Sequence, residues 1–519
     1  MDTKALRQKI LDLAIRGKLV PQDPNDEPAE VLLERIREQK QQMFKEGKLK
    51  KKDIKNDTII FKGEDNLHYE KFQDGTVKCI EDEIPFEVPE GWAWCKLNDI
   101  YNFIDYRGAT PTKITNGIPL VTAKNVKSGY IDYTIDDYIS EEEFKERQQR
   151  GISKKGDILF TTEAPLGNAA LADMEKFSAG QRLITFQQYG SKNELINYVM
   201  LMFILSDFFQ QQLYVNKTGS TVAGIKAAIL KTLWIPVPPY NEQLRISNTL
   251  KSAINLIDSI SKNKEILSTS ISNTKSKILD LAIRGKIVPQ DPNDEPASVL
   301  LERIRAEKEE LIKQGKIKRD KKESVIFKGD DNSYYEKISN KVNCIDEEIP
   351  FELSEGWAFI RLKTAWELIS GRDLSPSEYN DKNDGIPYIT GASNFRNGHI
   401  SLVRWTTVPQ VITRRGDLLL TCKGTIGEIA HNNFGEAHIA RQIMAIRNIY
   451  SLNVDFLALC IEYSMTKIKQ AAKGLIPGIS REDILNLVIP IPPTKEQENI
   501  CNKLKATFSA IEHIEKSLN

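Results

Sequence analysis

Between Asn241 and Arg284 the chain carries neither proline nor glycine, and its apolar residues recur at alternating steps of four and three. Ile246, Leu250, Ala253, Ile257, Ile260, Leu267, Ile271, Ile278 and Leu281 mark the rhythm, with Lys264 and Thr274 as polar interruptions. Such spacing keeps one edge of a helix apolar, so the segment is predicted to form one long helix with a coiled-coil seam. Forty-odd helical residues at ~1.5 Å each reach roughly 65 Å. The same phase returns at Ile500, Leu504, Thr507, Ile511, Ile514 and Leu518, and again at Thr3, Leu6, Ile10 and Leu13. These read as two parts of a second seam, split between the termini. The expected arrangement is a pair of long antiparallel coiled-coil helices about a pseudo-two-fold axis.

Between the helices the pattern changes to short β-type runs broken by Gly, Pro and Asn, such as IPLVTAKNVKSGYI from Ile118 and IPYITGASNFRNGHI from Ile386. Apolar helical stretches follow near Leu195–Phe209 and Val454–Ile468. The fold class is therefore α+β, with two β-rich domains separated by long helices.

The chain is also two versions of one design. KILDLAIRGKLVPQDPNDEPA from Lys9 recurs from Lys277 with a single change, and VLLERIR follows at Val31 and Val299. EIPFE and EGW repeat at Glu83 and Glu90 and at Glu348 and Glu355; GIKAAILKTLWIPVPPYNEQ from Gly224 matches GISREDILNLVIPIPPTKEQ from Gly478. From about Tyr101 to Asn216, and from Trp366 to Lys473, only a skeleton persists, as in KKGDILFT against RRGDLLLT. Constant flanks perform one task twice, whereas divergent middles suit two readers of different ligands. The expected boundaries are a helix at 1–20, a repeated segment at 21–57, a variable domain at 58–240, a long helix at 241–285, a repeated segment at 286–325, a second variable domain at 326–494 and a closing helix at 495–519.

The 519 residues exceed what one hydrophobic core usually supports, and 40% hydrophobic with 28% charged residues suits a globular chain. No apolar run approaches the ~20 residues of a membrane helix, and the charged amino terminus lacks a signal-like core, so the expected address is cytoplasmic. Six scattered cysteines favour reduced thiols over a disulfide frame. With 72 basic and 72 acidic residues, any nucleic-acid surface must be local.

Loops of the variable domains carry donors suited to phosphates and base edges: Arg107, Thr110, Thr112, Lys124 and Asn125, then Arg372, Ser375, Asn394, Arg396, Lys423 and Thr425. Arg and Asn can bond guanine and adenine edges in bidentate fashion, and Ser, Thr and Lys suit the backbone. Basic runs from Lys45 and Lys313 would suit phosphates or an acidic partner equally. Catalytic motifs are incomplete. Pro238-Pro239-Tyr240 follows Val237 where an amino-methyltransferase has a polar residue, and neither Asp157 with Glu163 nor Asp417 with Lys423 completes a nuclease centre. There is no glycine-rich phosphate loop, and the five histidines show no metal spacing, so no metal site is expected.

The repeated GK(L/I)VPQDPNDEPA with LLERIR, the KKGDILFT and RRGDLLLT pair and the IP-x-PP-x-x-EQ lead into each long helix together resemble the specificity subunit of type I restriction-modification enzymes. That resemblance spans nearly the whole chain. It implies a non-catalytic subunit whose two target-recognition domains each read half of a bipartite asymmetric site on double-stranded DNA. It also implies two modification subunits that methylate adenine with S-adenosylmethionine, and two ATP-dependent restriction subunits. S-adenosylmethionine, ATP and Mg would belong to those partners, with no cofactor on this chain and no membrane partner. The helix seams, at Leu6, Ile10, Leu13, Ile246, Leu250, Ile257, Ile260, Leu267, Ile271, Ile278, Leu281, Ile500, Leu504, Ile511 and Ile514, would form the partner-facing frame.

Overall fold

The computed structural model describes residues 2–518, apart from 56, 107–109, 149–150, 191–193, 220–222, 318, 320–322, 397, 451 and 472–477. The chain divides into two compact units, Met1–Lys264 and Glu265–Asn519, and the boundary falls inside a single helix that runs from Tyr240 to Ile283. Among the described residues no helix is long and apolar enough to cross a membrane.

Each unit is built on a four-stranded antiparallel sheet with the same spatial order. In the first the strands lie Tyr101–Asp105, Leu183–Gln188, Ile158–Thr162, Leu166–Leu171; in the second, Trp366–Ser370, Ile443–Asn448, Leu418–Thr421, Ile429–His431. The strand Ile158–Thr162 is buried on both faces because its side chains alternate between two cores. Ile158 and Phe160 join the helices Asn197–Ile204 and Asp207–Val215 on one side, while Leu159 faces a smaller core with Val121 and Phe177 on the other. Leu418 and Leu420 against Leu419 repeat the division. A near-continuous apolar run is what two-sided burial requires, which explains why KKGDILFT and RRGDLLLT lack polar alternation.

The repeated flanks have equally local causes. Gly17 and Gly285 adopt φ of 65° and 69° and end their helices. Lys18 N donates to Leu13 O and Lys286 N to Leu281 O, each at 2.8 Å, closing the last turn in a Schellman pattern. The EGW and PP-x-x-EQ motifs are two sides of one contact. Strand Ala93–Lys96 pairs with Trp234–Val237, and Ala358–Arg361 with Val488–Ile491, so each Pro-Pro corner lies beside a buried tryptophan. Trp92 Nε1 donates to Glu242 at 2.9 Å and Trp357 Nε1 to Glu496 at 3.0 Å. Gln243 and Gln497 donate back to the carbonyls of Pro238 and Pro492, at 3.0 and 2.9 Å. Burial raises both glutamate carboxyls above their ordinary range, against the pull of the indole hydrogen bonds.

Burial along the seams is uneven. Ile246, Leu250, Ile257, Ile271, Ile500 and Leu504 are buried; Ile260, Ile278, Leu281, Ile511, Leu6, Ile10 and Leu13 are half-buried. Leu267 and Ile514 are 40% and 49% exposed, so the four-three rhythm overstates the covered edge around them. Within the first unit the terminal helix Thr3–Ile15 lies along the long helix through Arg7 with Asp258 and Thr3 with Ser261. Within the second, Lys275 pairs with Glu515 at 2.8 Å.

The Gly-Asp of each K/R-K/R-G-D turn closes the turn itself. Asp157 Oδ2 accepts from Lys154 N at 2.7 Å and Asp417 Oδ2 from Arg414 N at 2.8 Å. Their second partners differ: Gln187 donates to Asp157 at 2.7 Å, whereas Arg447 holds Asp417 with two nitrogens, at 3.1 and 2.8 Å. With no guanidinium bonded to it, burial pushes the Asp157 carboxyl up to about 6, against the weaker pull of its hydrogen bonds and of the Lys154 charge. The folded state then holds its proton more tightly than the unfolded chain, so this group's contribution to stability declines as pH rises from the ordinary aspartate value of about 4 through about 6. Gln187→Arg should supply the charge-assisted pair found in the other repeat. It should raise stability by about 1.5–3 kcal/mol at neutral pH and flatten the decline, measured by thermal unfolding from pH 4 to pH 8. An unchanged pH profile would show that Asp157 is not the titrating group.

Candidate nucleic-acid interface

At the end of the sheet away from the K/R-K/R-G-D turn, loops converge in the same way in each unit. In the first, Ile225 N donates to Thr162 O at 3.0 Å, Thr162 N to Arg182 O at 2.9 Å, and Glu163 bridges Gly224. In the second, Ile479 N donates to Cys422 O at 2.9 Å, Cys422 N to Gln442 O at 2.8 Å, and Lys423 bridges Gly478. These are backbone contacts, so the frame of the loop cluster does not depend on which side chains it displays.

The display differs. Glu163-Ala164-Pro165 stands where the second unit has Lys423-Gly424-Thr425. Arg182 pairs with Glu163 at 3.1 Å and both remain largely exposed; in the second unit Arg441 pairs with Asp373 at 2.7 Å. Asp105, Glu163, Arg182, Thr218 and Lys226 border a cleft of about 630 Å³. Thr110, Lys113, Lys124 and Arg182 border an adjoining hollow of about 230 Å³. Guanidinium and ammonium donors beside carboxylate acceptors are the groups that read base edges and hold phosphates.

The expected residues divide accordingly. Thr110 and Lys124 are exposed on the hollow; Thr112 is exposed, with its backbone N–H donating to the Glu143 carboxylate at 3.0 and 3.1 Å. Arg372, Arg396, Lys423 and Thr425 are exposed, and Ser375 caps a short turn through Glu378. Arg107 lies outside the described residues. Asn125 and Asn394 correct the expectation of base-edge readers there. They are 3% and 1% exposed, and their carboxamides are committed internally. Asn125 accepts from Thr122 N and Oγ1 and donates to the carbonyls of Asp132 and Ile135; Asn394 accepts from Thr390 N and Oγ1 and donates to Ser401 O. A short polar side chain that bonds its own loop is a common device for shaping turns. Glu163, Arg182, Lys226 and Arg441 escaped the loop reading; the matched Ala-Gly-Gln-Arg and Ala-Arg-Gln segments were the signal for two of them.

The second unit has a titratable prop beneath its Arg372 loop. His438 is buried; its Nδ1 accepts from Val411 N at 3.1 Å, which leaves Nε2–H to donate to Arg372 O at 2.8 Å. Burial holds the imidazole below its ordinary range. Because the folded ring takes up a proton less readily than the unfolded one, this contribution is whole at neutral pH. It is lost as pH falls through the ordinary value of about 6.5 and below. Ser178 occupies the corresponding place in the first unit, bonded to Arg147. Acidification from pH 7.5 to 5.5 should therefore speed amide exchange, corrected for its intrinsic pH dependence, at residues 371–374 but not at 110–113. Equal protection of 371–374 at both pH values would remove His438 from this role.

The profile of the family described as type I restriction modification DNA specificity domain matches residues 89–268 and 354–519, one stretch in each repeat. The type I restriction enzyme EcoAI specificity subunit of Escherichia coli is 27% identical, over 97% of this chain and 90% of its own length. The EcoEI specificity subunit, also of Escherichia coli, is 26% identical over 99% and 90%. A solved chain from work on complex assembly and conformational transition of the type I R-M system shares the fold, with TM-score 0.55 and 19% identity over 84% of this chain and 94% of that one. With two family domains in matched positions on a duplicated frame, the chain belongs to the type I restriction-modification DNA specificity family.

Proposed function

We propose that this chain is the sequence-reading subunit of a type I restriction-modification complex, each of its units reading one half of a bipartite asymmetric site on double-stranded DNA. The observation that carries the reading is the matched loop cluster: one backbone frame, held by the same hydrogen bonds, displays Glu163 and Arg182 in one repeat and Lys423 and Arg441 in the other. Two copies of one scaffold with opposite charge at a matched position suit two different base sequences. The exposed arginines and lysines supply phosphate and base-edge donors. The resemblance to the EcoAI and EcoEI specificity subunits supports the assembly. In it, two modification subunits and two restriction subunits carry out adenine methylation and ATP-dependent restriction in the cytoplasm, bringing S-adenosylmethionine, ATP and Mg. The chain itself then performs no catalysis and holds no cofactor.

The test is a methylation map. Glu163→Lys in the assembled modification complex should alter the methylated sequence in one half-site alone, and Lys423→Glu in the other half alone. Discrimination should shift by about 1–3 kcal/mol at the affected base pair. Binding by both variants should keep a steep salt dependence. A uniform loss of methylation at all sites, with no change in sequence, would contradict reading by these loops, and methyl transfer by the purified chain alone would contradict its non-catalytic role.

A further inference from the structure

Each repeat carries a small three-stranded antiparallel sheet outside its main core: Ile59–Lys62, His68–Lys71 and Val77–Cys79 in the first, Ser324–Lys328, Tyr334–Ile338 and Lys341–Cys344 in the second. A buried ion pair decides which face turns inward. Glu70, 4% exposed, pairs with Lys96, and Glu336, 6% exposed, takes two hydrogen bonds from Arg361 at 3.0 and 2.7 Å. Side chains alternate across a strand, so fixing the central glutamate inward fixes its neighbours outward.

The outward face is the same in both sheets. Phe61 lies opposite Tyr69 and Tyr69 opposite Cys79, just as Phe327 lies opposite Tyr335 and Tyr335 opposite Cys344. The next row reads Ile59, Lys71, Val77 against Val325, Lys337, Val342. The aromatic pairs stack at 5.8 and 5.9 Å between ring centres. Val77 and Val342 are each 52% exposed, Phe327 is 41% exposed, and both cysteines are exposed. The outer strands, Val77–Cys79 and Lys341–Cys344, are exposed along their whole length. Tyr69 and Tyr335 have an internal task, each donating to the aspartate of its adjoining turn, Asp65 or Asp331, at 2.7 Å. No such bond holds Val77 and Val342, and exposed positions of that kind are free to drift. The adjoining hairpin has drifted, since five residues, Phe72 to Thr76, link the last two strands of the first sheet and only Ser339 and Asn340 do so in the second. The face has kept its chemistry while its own loop, and the reading loops, diverged.

We propose that this sheet face is a docking surface for the modification subunit, one copy on each repeat. The proposal rests on the function proposed above. A DNA half-site does not fit, because the two half-sites differ while the two faces do not. Charge points the same way: residues 59–83 hold seven acids against three lysines, and residues 325–348 six against three, which repels phosphate. The occupant is a protein present twice, offering an apolar patch with a basic rim. Exposed aromatic and β-branched side chains beside an uncovered strand edge are the features such a partner covers.

The face carries its own probe. Cys79 and Cys344 are exposed, whereas Cys95, Cys422, Cys460 and Cys501 are buried, so brief alkylation of the full native chain marks the two faces selectively. Labelling, read by mass spectrometry of peptides, is compared for the chain alone, with a non-specific duplex, and with its cognate modification subunit at ten times its Kd. Both cysteines should react roughly tenfold more slowly in the modification complex, following the free fraction of the face, and at unchanged rates with duplex. A complex that forms with both cysteines still reactive overturns the docking face and leaves the reading function standing. Failure to form any complex overturns both. Protection by duplex alone, or by the chain's own association at higher concentration, assigns the face to another occupant and overturns the proposal.

Discussion

The hydrogen bond between a buried tryptophan and a buried glutamate at the strand-to-helix corner is the constraint on which each unit depends. Trp92 holds Glu242 and Trp357 holds Glu496, in both cases where a two-stranded ribbon passes through Pro-Pro into a long helix. An indole N–H donates in one direction only, and a buried donor without an acceptor costs about 1–3 kcal/mol, so the glutamate must sit at one position and the helix must begin there. The returning bond from Gln243 or Gln497 to a proline carbonyl fixes the same turn from the other side. Helix direction, ribbon and recognition domain are thereby joined by side chains that the sequence repeats without change.

Above this corner the structure separates shape from display. Loops at the proposed reading end are tied together by backbone hydrogen bonds and by the internal carboxamides of Asn125 and Asn394, which keep two loops in one conformation while neighbouring residues vary. Glu163 and Lys423 can therefore exchange charge at matched positions with no change of fold. The turns at the other end keep their aspartates but differ in what holds them, Gln187 or Arg447, a difference of charge inside the scaffold that leaves the turn geometry alike.

The α+β class, the internal repeat and the long helix were legible because each rests on periodicity: four-three spacing for Ile246 to Leu281, short broken β runs for the domains, and a repeated glycine at the helix end. The uneven cover of the seam was not legible. Leu267 and Ile514 satisfy the rhythm, yet spacing reports which edge is apolar and says nothing of whether a neighbour reaches it. Residue type misled at Asn125 and Asn394, since an asparagine that shapes its own loop and one that faces a ligand have the same letter. Glu163 and Arg182 were missed for the opposite reason, because their meaning comes from loops remote in sequence that only the folded sheet brings together. The outward sheet face was hidden by its buried glutamate, which makes the inward and outward rows look alike in sequence.

If one frame serves two readers, a whole-domain exchange followed by a methylation map will show it. Residues 101–231 would be replaced by the corresponding residues 366–485 in the full chain, which is then assembled with its modification partner. Methylation should then be efficient at a symmetric site made of the second half-site in inverted repeat. Methylation that stays at the original asymmetric site would contradict it, as would a folded, partner-bound chain that directs methylation nowhere.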